Sequence, residues 1–494
     1  MTFDKFYAKF GLEEYPFSIY NSEQEKKTGL FIKPSNYSLL ENSFTNTLTT
    51  IVVGNRGSGK TKILNDLSQK ITHDAIMGYI ENYESVCKEN NLSDFYHLLL
   101  ESIVRGLLTK LFSNKKAIKK MSNNDKILLS YLIYRFAKNL TEKQISDQID
   151  QVQLSFGKRL LNKFSKPITS FLNFFATATA NFGNKFLTDS FGHYLPPINS
   201  ENIKSIFPNI KYESDAQFYD IEVSYDLLNR TLDMINTLGY PKPLVFFDKL
   251  DEDARFENDS DEIVNFISSI LLDSKLLLNP NIQLIFSIWS IPFEGLSSRF
   301  RTQKNNVYRI DWNQEELERV LNQRLYVYSN KKIKNYKELF EEDVTWELFE
   351  TIFDLCNANP RDLWHIFDQL FNTQHSLDSN KKISNEAIQR GLERFVVNFD
   401  FYEHYPRKKG ARKNTNDVYT YIQHLLKLSD HDFTNAELKE MASTGGSTTN
   451  YITGMCNLGL TKKTSRKRNN GSVVYEICDP KIIYAIKNSL SIER

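Results

Sequence analysis

Gly54-Asn55-Arg56-Gly57-Ser58-Gly59-Lys60-Thr61 is a complete G-x-x-x-x-G-K-[ST] phosphate loop, and the residues around it decide the fold. Upstream, the β-branched apolar run from Thr47 to Val53 predicts a buried parallel strand. Downstream, Ile63, Leu64 and Leu67 carry the apolar spacing of an opening helix. Strand, glycine loop and helix form the layout that phosphate binding needs. The glycines let backbone N–H groups approach the phosphate oxygens, and the helix start adds roughly half a positive charge. Lys60 would reach the β and γ phosphates of a nucleoside triphosphate, and the Thr61 hydroxyl would complete a Mg²⁺ shell.

A matching acidic strand end follows at Leu244-Val245-Phe246-Phe247-Asp248-Lys249-Leu250-Asp251-Glu252. Four apolar residues predict a central strand, and Asp248 at its end would hold Mg²⁺ through water. Glu252 is the candidate for polarising an attacking water, with Asp251 the alternative because the register of the turn is open. Lys249, inside the motif, has no assigned role.

Together these two motifs resemble the AAA+ superfamily of ATPases, which implies an α/β P-loop fold with a parallel sheet, ATP and Mg²⁺. In that resemblance Ile282 to Ser290 is another strand, carrying Ser287 or Ser290 where the family has its sensor 1 residue. The family prefers Asn or Thr there, so this chain departs from the pattern. Gly295 to Arg301 is similar to the segment that carries an arginine finger, so that Arg299 or Arg301 would complete the site of a neighbouring copy in a homo-oligomer. Val307 to Trp312 predicts a fifth strand, and Asn313 caps the next helix. Asn357-Ala358-Asn359-Pro360-Arg361 resembles the sensor 2 motif of the origin-recognition branch, which implies that Arg361 reaches the nucleotide from a lid helix. At the front, Phe10 to Ser18 and Phe31 to Tyr37 resemble the lead-in of ExeA-type and transposition-helper ATPases. That likeness leaves Tyr15 and Phe17 either against adenine or in the core.

The C-terminal stretch carries a second pattern. Asp417 to Leu426 reads as a helix, Thr434-x-x-Glu437 is a capping box opening another, and Ser447 to Leu458 makes a third whose Asn450, Thr453 and Asn457 face outward. Asn470-Gly471 between two strand-like runs predicts a hairpin. Three helices and a basic hairpin give a winged-helix layout, in which the third helix enters a groove and the wing touches phosphates. The wing holds Lys462, Lys463, Arg466, Lys467 and Arg468, a density that predicts incomplete local pairing. Arg407, Lys408, Lys409, Arg412 and Lys413 form a second cluster. From residue 401 onward there are 15 Lys/Arg against 9 Asp/Glu, whereas the whole chain is only +1, so positive charge is concentrated at this end and DNA is the expected partner.

At 494 residues the chain is too long for one core. The expected division is a lead-in at 1–40, an ATPase core at 41–325 with a helical insertion at about 85–235, a helical lid at 326–400 and a winged helix at 415–494. Phe171 to Gly183, within the insertion, is apolar but too short and too polar to span a bilayer, so a packing element or partner surface is expected and no membrane. Four scattered cysteines support neither a disulfide framework nor a zinc site, and a cytoplasmic location is expected. The reading is an ATPase coupling nucleotide state to DNA. The alternative is a nucleotide-gated assembly switch of the kind found in bacterial anti-phage defence, acting through a protein effector.

Overall fold

The computed structural model describes residues 1–20, 24–71, 75–136, 220–407 and 417–493. Its centre is a parallel sheet of β1 (Thr50–Gly54), β2 (Met77–Ile80), β3 (Leu244–Phe247), β4 (Gln283–Trp289) and β5 (Asn306–Arg309), in the order β2-β3-β4-β1-β5. Every residue of β1, β3 and β4 is buried, as continuous apolar runs require when both faces are covered. Successive side chains serve opposite faces. Val52, Phe246 and Ile285 meet α2 (Tyr37–Thr45) and α3 (Lys60–Ser68) through Tyr37, Leu40, Ile63 and Leu67. Val53, Val245 and Phe286 meet the opposite layer, α4 (Leu92–Ser113), α6 (Ile221–Thr237), α7 (Ser260–Leu271) and α9 (Ser290–Leu296).

The described part of the expected insertion is α4, α5 (Asn123–Phe136) and α6, whose apolar residues join this second layer. Phe171 to Gly183 lies outside the described residues. Among the described residues, no helix is long and apolar enough to cross a membrane. The short α8 (Ser274–Leu277) leads into β4, capped by Asp273.

A separate core holds α1 (Phe3–Ala8), α10 (Gln314–Tyr328), α11 (Trp346–Leu355), α12 (Pro360–Asp378) and α13 (Asn385–Val397) together with the C-terminal helices. Asn313 and Glu316 form the reciprocal capping box that starts α10, and Pro360 occupies the first turn of α12, where its missing N–H costs nothing. The C-terminal unit runs α14 (Val418–Leu425), β6 (Asp432–Thr434), α15 (Asn435–Met441), α16 (Thr448–Asn457), β7 (Thr461–Lys467), β8 (Val473–Ile477) and α17 (Pro480–Lys487). The expected hairpin turns at Gly471 with φ 81°, and β6 adds a third antiparallel strand in the order β6-β8-β7. Ile422, Leu438, Met455 and Ile482 bury this unit against the core that also holds Phe367 of α12 and Leu392 of α13.

Candidate functional site

The phosphate loop leaves the carboxyl end of β1 and turns through Gly57 (φ 82°) and Gly59 (φ 93°), conformations that a side chain would strain. Gly57 also lacks room, because a Cβ there would stand 2.5 Å from Asn359 Oδ1. α3 begins at Lys60, as the sequence predicts, and the Trp312 indole N–H donates to Ser58 O at 2.9 Å, fastening the loop to the segment after β5. Lys60 is buried, and its Nζ donates to Gly54 O (3.0 Å) and Asn55 O (3.2 Å). Burial depresses the Lys60 ammonium, against the opposing pull of Asp251, Glu252 and Asp248.

Asp248 sits just past β3. Its Oδ2 accepts from the Tyr79 hydroxyl at 2.8 Å and its Oδ1 from Lys249 N at 3.0 Å, while the Tyr83 hydroxyl donates to its carbonyl. Lys249 takes a left-handed conformation (φ 57°) and pairs with Glu81 at 3.2 Å, so the chain turns sharply there. The turn separates the two acids. Asp251 is buried, accepts from Trp289 N at 3.0 Å and stands 3.5 Å from Arg56 Nε. The Arg56 guanidinium also donates to Asp251 O at 3.0 Å and lies 4.1 Å over the Trp289 ring. Asp251 is thereby occupied in holding β4 and the phosphate loop together. Glu252 instead projects into an open cavity, where burial, then Asp251, raises its carboxyl above the ordinary range. Glu252 is nonetheless exposed on the cavity side, so its desolvation is partial.

Of the two candidate serines, Ser287 is fully buried within β4, whereas Ser290 opens α9 and its hydroxyl meets the Asn55 side chain of the phosphate loop. α12 approaches from the other side. Asn359 caps α12 by accepting from Arg361 N (3.0 Å), and its Nδ2 donates to Arg56 O at 2.7 Å. Arg361 lines the cavity and pairs with Glu403 at 3.5 Å, a long and partly exposed contact that a phosphate would displace.

One cavity of about 750 Å³ is walled by Arg56 to Lys62, Asp248, Lys249, Glu252, Arg361 and the lead-in residues Tyr20, Leu30, Phe31 and Ile32. Thr61 and Asp248, both hard oxygen donors, share it, and that donor set fits Mg²⁺, which takes one or two protein oxygens beside phosphates and water. Tyr15 and Phe17 do not line it. Phe17 is buried against Phe367, with ring centroids 5.2 Å apart, and Tyr15 donates to Asp368, so both are core aromatics; Tyr20 holds the place at the cavity wall. The Arg56–Asp251–Trp289 cluster and the tyrosines on Asp248 were not legible in the sequence.

Arg299 and Arg301 lie exposed in the loop after α9, away from the cavity wall. On the C-terminal unit, Asn450, Thr453 and Asn457 are exposed on α16 as expected. The wing corrects the expectation from charge density. Arg466 pairs with Asp432 (3.0 Å) and Glu476 (2.8 Å), Arg468 with Asp432 (2.9 Å) and Glu437 (3.5 Å), and Lys462 with Glu476 (2.9 Å). The reason is β6, unforeseen in the sequence, which brings Asp432 alongside the hairpin. Lys463 and Lys467 have no ion-pair partner among the described residues. Lys408, Lys409, Arg412 and Lys413 lie outside the described residues, while Arg407 stacks 4.1 Å over Tyr402.

Strand order, phosphate loop and acidic strand end make the fold an α/β P-loop NTPase fold. No protein-family model and no curated protein matches the chain. Among solved structures it is similar to the ORC2 protein of Aeropyrum pernix in ADPNP-ADP complexes, at 9% identity and TM-score 0.42, covering 97% of this chain and 98% of that one. It is similar also to a Walker-type ATPase of Pyrococcus abyssi (12% identity, TM-score 0.41, 95% and 99% covered) and to Drosophila ORC bound to DNA (10%, 0.30, 98% and 99%).

Proposed function

We propose that the chain is an ATP-binding and ATP-hydrolysing switch that couples nucleotide state to DNA binding or to assembly of a DNA-associated complex. The observation that carries this is convergence: the phosphate loop, Asp248, Glu252 and the lid residue Arg361 line one cavity although they are far apart in sequence. Thr61 and Asp248 would hold Mg²⁺, which when bound neutralises phosphate charge. Lys60 and Arg361 would bind the β and γ phosphates, and Glu252 would take a proton from a water aimed at the γ phosphorus. Ser290, through Asn55, is the residue proposed to sense the γ phosphate. In this reading the chain divides into lead-in, ATPase core with insertion, lid and winged helix.

Arg299 and Arg301, exposed and outside their own cavity, suit a site completed in trans. Replacing both with Ala is expected to lower turnover per chain by roughly tenfold or more, a fraction of what a trans-acting arginine can contribute. Wild-type specific activity should rise with protein concentration. Concentration-independent activity from a sedimentation-proven monomer would remove both the finger and the homo-oligomer.

For DNA, the internal pairs of the wing decide which residues matter. Pairs as exposed as those of Arg466 and Arg468 contribute little to stability and exchange readily for phosphate. Lys463 and Lys467, without carboxylate partners, should make the net contribution. Lys463→Ala with Lys467→Ala is expected to flatten the slope of log K against log salt by about two, at roughly 0.9 per contact, with ATP affinity unchanged. Asn450 and Thr453 would touch base edges, so their loss should alter sequence preference rather than slope. Gel shifts over a salt series, with and without ATP, test this. The pairing of three of the five wing cations favours a second reading, in which the C-terminal unit binds a protein effector in a defence switch. Equal affinity and slope for wild type and the double lysine variant would make that reading the better one.

A further inference from the structure

Lys481, in the first turn of α17, is fully buried, and its Nζ forms an ion pair with Asp362 Oδ2 at 2.9 Å. Its ammonium also lies 4.3 Å over the Phe399 ring. A buried charge is costly, and apolar residues of similar volume in place of such a pair commonly leave a protein as stable or more so. Stability alone therefore does not account for Lys481.

What lies beyond Asp362 does. His404 Nε2 is 3.2 Å from Asp362 Oδ1 and 3.3 Å from Asn359 Nδ2. Asp362 only accepts, so the Nε2 proton points to Asp362, and Asn359 Nδ2, a donor that bonds Arg56 O, packs against the ring without a hydrogen bond to it. A continuous line of buried contacts thus runs from α17 through Asp362, His404 and Asn359 to the backbone of the phosphate loop. Asn359, Arg361, Asp362 and His404 all line the cavity, whereas Lys481 stands behind them. Burial raises Asp362, but Lys481 and His404 outweigh it and hold the carboxyl at about 2, so Asp362 is ionised at neutral pH. An ionised carboxylate beside a phosphate site opposes the ligand unless it is neutralised, and Lys481 is the cation that neutralises it.

We propose that Lys481 is a positioning residue of the nucleotide site, and that through its pair with Asp362 the binding of a nucleoside triphosphate and the docking of the C-terminal unit strengthen each other. The coupling is reciprocal by linkage. Whatever draws the C-terminal unit off the lid exposes Asp362 to the phosphates and releases nucleotide. Conversely, triphosphate binding tightens α17. This inference rests on the nucleotide reading of the cavity.

The test compares full-length wild type, Lys481→Met, Asp362→Asn and the double variant, by titration with a non-hydrolysable ATP analogue and Mg²⁺ and by amide exchange in α17. Lys481→Met should weaken the analogue about tenfold, and adding Asp362→Asn should restore affinity to within about threefold, because no uncompensated charge remains. The analogue should slow α17 exchange in wild type and leave it unchanged in the double variant. A merely structural lysine would make the double variant bind no better than Lys481→Met, and that result overturns the proposal. Should Lys481→Met fail to fold, the double variant decides alone: near-wild-type affinity with loss of the α17 response supports the coupling, and a retained response overturns it. A wild type that binds no triphosphate overturns the reading of the cavity and this inference together. Equal binding by wild type and Lys481→Met overturns only the inference.

Discussion

Lys60→Ala is expected to lower ATP affinity by about two to three orders of magnitude in a protein that still folds, as measured by calorimetric titration. The ammonium is held at the site in advance, donating to Gly54 O and Asn55 O and pressed by burial toward its neutral form. Phosphate oxygens are stronger acceptors than those carbonyls, so ligand entry converts a strained charge into a satisfied one. Charge-assisted hydrogen bonds contribute roughly 1.5–3 kcal/mol each, and losing two of them at the lower part of that range gives the expected factor. The fold should persist because Gly57, Gly59 and the Trp312 bond to Ser58 O keep the loop's shape without Lys60. Undiminished affinity in a folded variant would show that this cavity is not the triphosphate site.

The parts of the site legible in the sequence are those written within a few residues. The phosphate loop, the strand ending at Phe247, the cap at Asn313 and the Pro360 helix start each depend on local spacing, and each lies where that spacing predicts. What escaped was made by chain segments that only the sheet and the lid bring together. Arg56 reads as an arbitrary loop residue until Asp251 and Trp289, some two hundred positions on, close around its guanidinium. Crowded charges on the wing suggested unmet pairing, yet the three-residue β6, too short to leave a pattern, delivers Asp432 to Arg466 and Arg468. Tyr15 and Phe17 could not be told from base-stacking residues by type, since burial against Phe367 and Phe371 is a property of the lid. The same holds for Ser287 and Ser290. Both end an apolar run, and only strand length puts one in the core and the other against Asn55.

Glu252→Gln should lower turnover by roughly 10² to 10⁴, the usual contribution of a general base, while ATP affinity is kept and thermal stability changes little. Asp251→Asn should behave in the opposite way. Asp251 is buried, receives Trp289 N and faces Arg56, so its neutralisation leaves a guanidinium largely enclosed without its counter-charge. Removing one partner of such a pair costs roughly 3–5 kcal/mol. Its effect on turnover would follow from loosening the phosphate loop, and should be accompanied by a clear fall in melting temperature. Glu252 is open to the cavity, so an isosteric amide there should cost no more than about 0.5 kcal/mol. Acidity gives an independent check. A base works ionised, and burial and Asp251 raise Glu252 above its ordinary value, so wild-type turnover should climb with pH along a limb displaced upward from that of an ordinary carboxyl. In Glu252→Gln the residual turnover should lose that limb, whereas Asp251→Asn, which removes a neighbouring negative charge, should shift it to lower pH. Stopped-time phosphate release across pH, paired with thermal melts, separates the two acids. If Asp251→Asn abolished turnover at unchanged stability while Glu252→Gln retained it, the base would be Asp251, and the role assigned to its contacts with Arg56 and Trp289 would have to be withdrawn.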